Sequence, residues 1–579
     1  MTQTLLATDL LAEGGTVVTA THRLARQVRL RHDRSRAAAG RRAWPTADVL
    51  PLDAWLRRTW ESSNLRESAP DHLRLLSEDE SRLVWRRVLA SDGQDRLDAG
   101  VIVSLVASGW RLCQAWGIPA SALHAADSED GRMFAQWVDS YVAELERRGW
   151  QDAGGLLQAL GHAARGIQAG ARRIGFAGFD PWTPALAQLA DRLQADGHEV
   201  TRLLPSRRSG TRRIVAVRNE SDELARAFSW AAGHAGPGAD APPAIVIPDL
   251  ERQGEGARRL GLDILAPGWR LREPAVRPVV LAAGRQLADY PVVHCALNVL
   301  DVLVADASFE QASLLLRSCY LAGADEERGG RARAELQLRR TPLEHIGPRF
   351  LATLLDRQAL VMAARWRAAD TLVEPLRGRR LLPSAWAGQF AAWLAAAGWP
   401  GDRVLASEEF QAAEAWQRAL EAFAGTDEVA GPLPLGTAVG ILAQQARDKP
   451  FEPESHDEAV QVLSFREAEG QEFGALWLCG LTADRWPGPA RPHALIPLAL
   501  QQAAGMPEAT PAATEEQTRR RFEQLLASTE HLVLSWPVEQ GDAETLPSPL
   551  LTSPLVADAY VVMATADEIT LHPDRQCVA

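Results

Sequence analysis

Lysine is almost missing from this 579-residue chain: of its 62 basic residues only Lys449 is a lysine, and the rest are arginine. Cysteine is scarce as well. Cys113, Cys295, Cys319, Cys479 and Cys577 are scattered with no CxxC pair. That argues against a zinc site, an iron–sulfur cluster or a disulfide framework, and free thiols of this kind are expected to be buried. No apolar run reaches the ~18 residues that a membrane-spanning helix needs. The first residues, MTQTLLATDLLAEGG, have neither a basic n-region nor a small-residue cleavage site. These absences lead to the expectation of a cytoplasmic protein with no membrane contact. No low-complexity block or short-period repeat is present.

The composition that remains, 46% hydrophobic and 23% charged, is ordinary for globular protein, and the length calls for more than one core. A net charge of −12 means that nucleic acid could be held only by a local basic groove. Nineteen tryptophans are expected mainly between helices, with a few free to stack on bases.

Strand and helix patterns alternate along the chain. A strand at Thr16–Thr19 precedes a helix rich in arginine, and helical spacing dominates from about Leu75 to Leu160. Strands return at 174–179, from Val200, at 214–217 and at 245–247, with Thr183-Pro184 and Ser221 as expected helix starts. Residues 275–445 are again mainly helical. Covered parallel sheets follow from such alternation. The expected division is 1–70, the N-terminal part of a first α/β lobe; 71–168, a helical insertion; 169–275, the rest of that lobe and the start of a second; 276–445, a second helical insertion; 446–545, the second α/β lobe; and 546–579, a C-terminal tail.

The stretch VQVLSFREAEGQEFGALWLCGLTADRWP, residues 460–487, reads as strand, polar turn, Gly470 and a second apolar run from Phe473 to Leu481. Together with GFDPWTPALAQLADRL it resembles superfamily 1 helicases of the UvrD type, and more closely the AddB-like, RecB-nuclease-related DNA repair proteins of bacteria. The resemblance runs from Thr19 to about Leu551. It implies an α/β fold of two RecA-like parallel-sheet lobes, each interrupted by a helical insertion domain. In active relatives the first stretch approximates T-x-H-x-A-K-G-L-E-[FW]. Here Ala468, Gly470, Glu472 and Phe473 match, while Ser464, Arg466, Glu469 and Gln471 depart from it.

Measured against that family, the parts that burn ATP are missing. A phosphate loop needs glycines and a lysine in G-x-x-x-x-G-K-[ST] order, and Lys449 lies far from the first strand in ARDKPFEP. Of the relatives' paired acids after the strand at 174–179 only Asp180 remains. Ala527 falls where the relatives carry the arginine that stabilises the transferring phosphoryl group, a residue worth about 10³–10⁵ in rate; Arg519–Arg521 could substitute only in a shifted register. A carboxylate–lysine nuclease triad cannot be assembled either, and the relatives' nuclease domain would begin about where residues 546–579 end the sequence.

The resemblance therefore implies a non-catalytic DNA-binding scaffold in a helicase–nuclease complex of double-strand break repair and recombination. Its partners would be single-stranded or forked DNA and a UvrD-like helicase–nuclease subunit. No metal ligand set and no nucleotide-binding residue is assigned; ATP and Mg²⁺ belong to the alternative, an ATP-dependent helicase or exonuclease subunit whose nuclease domain lies outside this chain. A pure protein-interaction module is the third reading. The candidate DNA contacts are Thr21, His22, Arg23 and Arg26 after the first strand, Ser464 and Arg466 in the 460–487 stretch, and Trp182 and Trp486 beyond strand ends. Glu469 and Glu472 are expected on a solvated turn.

Overall fold

The computed structural model describes residues 7–62, 73–91, 99–162, 167, 169–204, 210–236, 241–271, 278–282, 285–341, 343, 345–453, 459–552 and 561–563. Cys577 and most of the 546–579 tail lie outside these residues. The chain forms two compact units, one from Met1–Leu75, Ser104–Ala283 and Glu454–Ala579, the other from Leu76–Val103 and Gly284–Pro453. The helical segment expected at 71–168 is thus shared between the two units.

The first unit is mixed α/β. Besides helices such as Glu129–Arg148, it holds two sheets with their flanking helices, which are in chain order β1 (Thr16–Thr19), α1 (His22–Ala38), β2 (Val49–Pro51), α2 (Leu52–Ser62), β3 (Arg173–Ala177), α3 (Pro184–Ala195) and β4 (Glu199–Leu203), followed by β5 (Thr211–Val217), α4 (Glu220–His234), β6 (Ala244–Val246), α5 (Leu250–Leu265) and β7 (Val279–Leu281). Then come β8 (Val460–Leu463), α6 (Phe465–Ala468), β9 (Leu476–Leu478), α7 (Pro511–Leu526), β10 (His531–Pro537) and β11 (Val561–Met563). Two parallel sheets result, with strand orders β2-β1-β3-β4 and β11-β5-β10-β9-β6-β8-β7.

The apolar runs are continuous rather than alternating because both faces of each sheet are covered. In the large sheet Leu476 and Leu478 join a core with Phe522 and Leu525 of α7, while Trp477 and Cys479 join one with Phe228 and Ala231 of α4. In the small sheet Val18 and Phe176 meet Trp55 of α2 and Leu189 of α3, and Val17 faces Leu24 and Ala25 of α1.

Element ends follow local chemistry. Thr183 caps α3 with its side chain accepting from Leu186 N, and Pro184 occupies the first turn, as expected. For α4 the cap is Asn219 and not Ser221: Asn219 is extended just beyond β5 and accepts from Asp222 N at 2.9 Å, which leaves Ser221 already inside the helix. The strand expected to run to Phe179 stops at Ala177, since Gly178 turns the backbone to φ +78°. Likewise only Leu476–Leu478 of the 473–481 run is strand, although Phe473 and Leu481 are buried at either side.

The second unit is helical. Helix Pro291–Val304 is buried on nearly all sides, as a helix apolar all round must be. Trp366, Trp386, Trp393 and Trp416 are fully buried around it. Trp386 Nε1 donates to Leu433 O at 2.8 Å and Trp366 Nε1 to Pro348 O at 3.1 Å, whereas Trp393 and Trp416 bury Nε1 with no hydrogen-bond partner among the described residues. Arg82 of helix Glu78–Ser91 pairs with Asp448 at 2.6 Å, tying residues 76–103 to helix Leu435–Asp448. Lys449 ends that helix in an extended conformation. Among the described cysteines Cys113, Cys295 and Cys479 are buried as expected, and Cys319 is exposed.

One buried acid lies in the α4 face of the large sheet. Glu223 is 2% exposed, Gly480 N donates to its Oε1 at 2.9 Å, and Ser535 donates to the same oxygen while accepting from Trp477 Nε1 at 2.7 Å. Burial pushes its carboxyl up to about 7, against the opposing pull of the Ser535 and Gly480 hydrogen bonds. The folded state holds this proton more tightly than the unfolded chain does. Its contribution is therefore complete below about pH 4.5 and is lost as pH rises through 7. Urea unfolding of the wild type across this window is expected to show a loss on the order of 2–3 kcal/mol from this group, and E223Q is expected to make the slope shallower.

Candidate functional site at the junction of the two sheets

In a parallel sheet, ligand sites form beyond the C-terminal strand ends where the strand order reverses. For the small sheet that point lies between β1 and β3. There the chain leaves β1 into α1 and leaves β3 at Gly178. Thr21 caps α1, its side chain accepting from Leu24 N at 3.2 Å, and Thr19 Oγ1 donates to Thr21 O at 2.9 Å.

Facing this point is the turn that follows β8. Ser464 caps α6 in a reciprocal arrangement with Glu467: Glu467 N donates to Ser464 Oγ, and Ser464 N donates to Glu467 Oε2 at 3.0 Å. The expected polar turn is thus a single capped helical turn. It ends at Gly470, which has φ +72°. A Cβ on Gly470 would stand 2.7 Å from Gly178 Cα and 3.3 Å from Leu24 Cδ2; one on Gly178 would stand 2.5 Å from that same Leu24 atom. Two glycines and one leucine therefore close the crevice between the sheets by backbone contact.

The acids around this contact are buried, contrary to the solvated turn expected for them. Glu472 is 6% exposed and pairs with Arg31 of α1 at 2.8 Å; its backbone also exchanges hydrogen bonds with the Gln27 side chain. Glu469 is 9% exposed and pairs with Arg521 of α7. Asp180 accepts from Gln524 Nε2 at 3.0 Å. Burial pushes the Glu469 carboxyl up to about 7; Asp180 adds to the rise, and Arg521 and Arg466 oppose it. The reason for the difference is long-range packing: α1 and α7 are brought onto a turn that looks merely polar in the sequence. Arg521, weighed in the sequence as a displaced phosphoryl-stabilising residue, is engaged by Glu469, while Arg519 pairs with Glu516 and Glu523 along α7.

The candidate DNA contacts divide. Thr21 caps α1 beyond β1 and Ser464 caps the turn beyond β8; Arg23 is half-buried, Arg26 is exposed on the next turn of α1, and Arg466 is exposed on α6. His22 is exposed and sits 3.5 Å from Asp53, whose hydrogen bond raises its pKa. Trp182 is half-buried, edge-on to Phe176 and Phe179, with the Arg202 guanidinium 5.7 Å over its ring. Trp486 is 6% exposed in the core of the large sheet against Phe465, so it presents no face for a base. Among the described residues no three His, Cys, Asp or Glu side chains gather as a metal site, and no helix is long and apolar enough to cross a membrane.

The sequence reading noted a helix rich in arginine and made Arg23 and Arg26 candidates, but did not single out the arginines from Arg29 to Arg42. Residues 22–42 hold Arg23, Arg26, Arg29, Arg31, Arg34, Arg36, Arg41 and Arg42 against one acid, Asp33. The signal was present as local charge in a chain whose total is acidic. Compared with known proteins, the chain matches no family model and no curated protein is significantly similar to it.

G470A is expected to destabilise the first unit by about 1–3 kcal/mol, the scale of an overpacked contact, added to the strain of a side chain at positive φ. Urea unfolding checks this. An alanine at Gly436, where a Cβ meets nothing within 4 Å, is the control and is expected to be near neutral.

Proposed function

We propose that this chain is a DNA-binding scaffold without catalysis of its own, related to the AddB-like subunits of helicase–nuclease complexes in double-strand break repair and recombination. The observation that carries the reading is the basic helix α1 and its continuation, with eight arginines to one aspartate in a chain of net charge −12. Only three residues of α1, Leu24, Ala25 and His32, are buried, and Arg36, Arg41 and Arg42 at its C-terminal end have no carboxylate partner among the described residues, which leaves that end open to a polyanion. Phosphates of single-stranded or forked DNA are the ligand such a surface suits.

The crevice supports the non-catalytic half of the reading. A triphosphate entering between β1 and β3 would meet the Gly178–Gly470 contact and the carboxylates Asp180, Glu469 and Glu472. The one lysine of the chain ends helix Leu435–Asp448, which belongs to the second unit. RecA-like lobes, a UvrD-like motor partner and a role in break repair come from the family resemblance and are analogies.

Fluorescence anisotropy with labelled single-stranded and forked DNA tests the proposal. Binding is expected at low salt and should weaken steeply as salt rises. R23A/R26A is expected to lower the slope of log affinity against log salt by roughly 1–2, the share of two phosphate contacts. No binding at low salt would favour the protein-interaction reading. Saturable micromolar binding of an ATP analogue would favour the enzyme.

A further inference from the structure

We propose that a single DNA strand is gripped at the C-terminal end of α1, with Arg36, Arg41 and Arg42 on its phosphates and Trp44 under a base. This deepens the DNA-binding reading and rests on it. The other arginines of α1 for which contacts are clearest are engaged within the fold: Arg29 Nε donates to Val49 O at 3.1 Å, and Arg31 pairs with Glu472. At the helix end the situation changes. Gly40 takes φ +75°, and the bonds from Ala39 N to Ser35 O, Gly40 N to Ala37 O and Arg41 N to Arg36 O close the last turn. The chain is thereby stopped and turned, and Arg41 and Arg42 are set in an exposed loop beside Arg36.

None of these three guanidinium groups has a carboxylate partner among the described residues. The nearby acids are engaged elsewhere. Asp33 Oδ1 accepts from Trp44 Nε1 at 2.6 Å, and Asp48 is held by Arg58 at 2.6 Å and by Thr16. The Asp33 bond also anchors Trp44 by one edge while the side chain stays partly exposed. Uncompensated guanidinium groups beside an anchored aromatic ring are the two ingredients of single-strand recognition, backbone pairing and base stacking.

The test uses the full chain, a labelled oligothymidylate and a duplex of equal length, with anisotropy read across a salt series and circular dichroism confirming the fold of each variant. R36A/R41A/R42A is expected to weaken single-strand binding at least tenfold at low salt and to reduce the salt slope by about 2. W44A is expected to weaken it roughly 5- to 150-fold with the salt slope unchanged and duplex binding unaffected. Wild-type affinity and slope in the triple variant, with R23A/R26A impaired, would overturn this placement and leave the DNA-binding reading standing. A silent W44A would remove the stacking. Absence of binding by the wild-type chain would overturn both.

Discussion

The contact between Gly178 and Gly470 governs the architecture of the first unit. Either residue with a Cβ would hold the two strand ends apart, and Leu24 could not then fill the remaining gap. With the backbones in contact, the 464–472 turn is pressed under α1 and α7, and its acids lose water. Arg31 and Arg521 follow as the cations that make that burial tolerable, since a buried carboxylate without a partner costs far more than the pair returns. Geometry set by two missing side chains thus dictates where four charges go.

Glu223 and Glu469 are two solutions to the same problem. Glu223 is satisfied by neutral donors, a hydroxyl and a backbone N–H, deep in the α4 face. Glu469 has a guanidinium at the rim of a closed crevice, with a second acid, Asp180, close enough to raise its proton affinity. The first is a rivet between β9, β10 and α4; the second ties α6 to α7 beside the small sheet. Neither has the open approach that acid–base chemistry on a substrate requires.

The alternating α/β order was readable because β1, β3, β6 and β9 are short apolar runs bounded by turn residues, and because Thr183-Pro184 is a local helix start. The strand ends were less readable. Gly178 shortened β3 through a backbone angle that letters do not display, and Asn219 displaced Ser221 because the helix begins at Glu220, two residues before the acids Asp222 and Glu223 that had suggested its first turn. The burial of Glu469 and Glu472 was not readable at all: the partners that cover Glu472 lie 445 positions away at Gln27. The same holds for helix Glu78–Ser91, whose partners in the second unit, Asp448 for Arg82 and the Val429 carbonyl for Arg87, lie 366 and 342 positions away. Of the candidate residues, Thr21 and Ser464 follow strands as their places in the sequence suggest and cap the helices beyond, whereas Trp486, weighed as a ring for base stacking, is claimed by its hydrophobic neighbours.

The near-absence of lysine gives the α1 surface an invariant character. A guanidinium group keeps its proton at any pH a cell reaches, and acetyl transfer, which neutralises amines, has no side chain to act on there. Grip on a polyanion by such a helix cannot be dialled down by protonation or by that modification. It would have to be released by ions competing for the strand or by another protein taking it over.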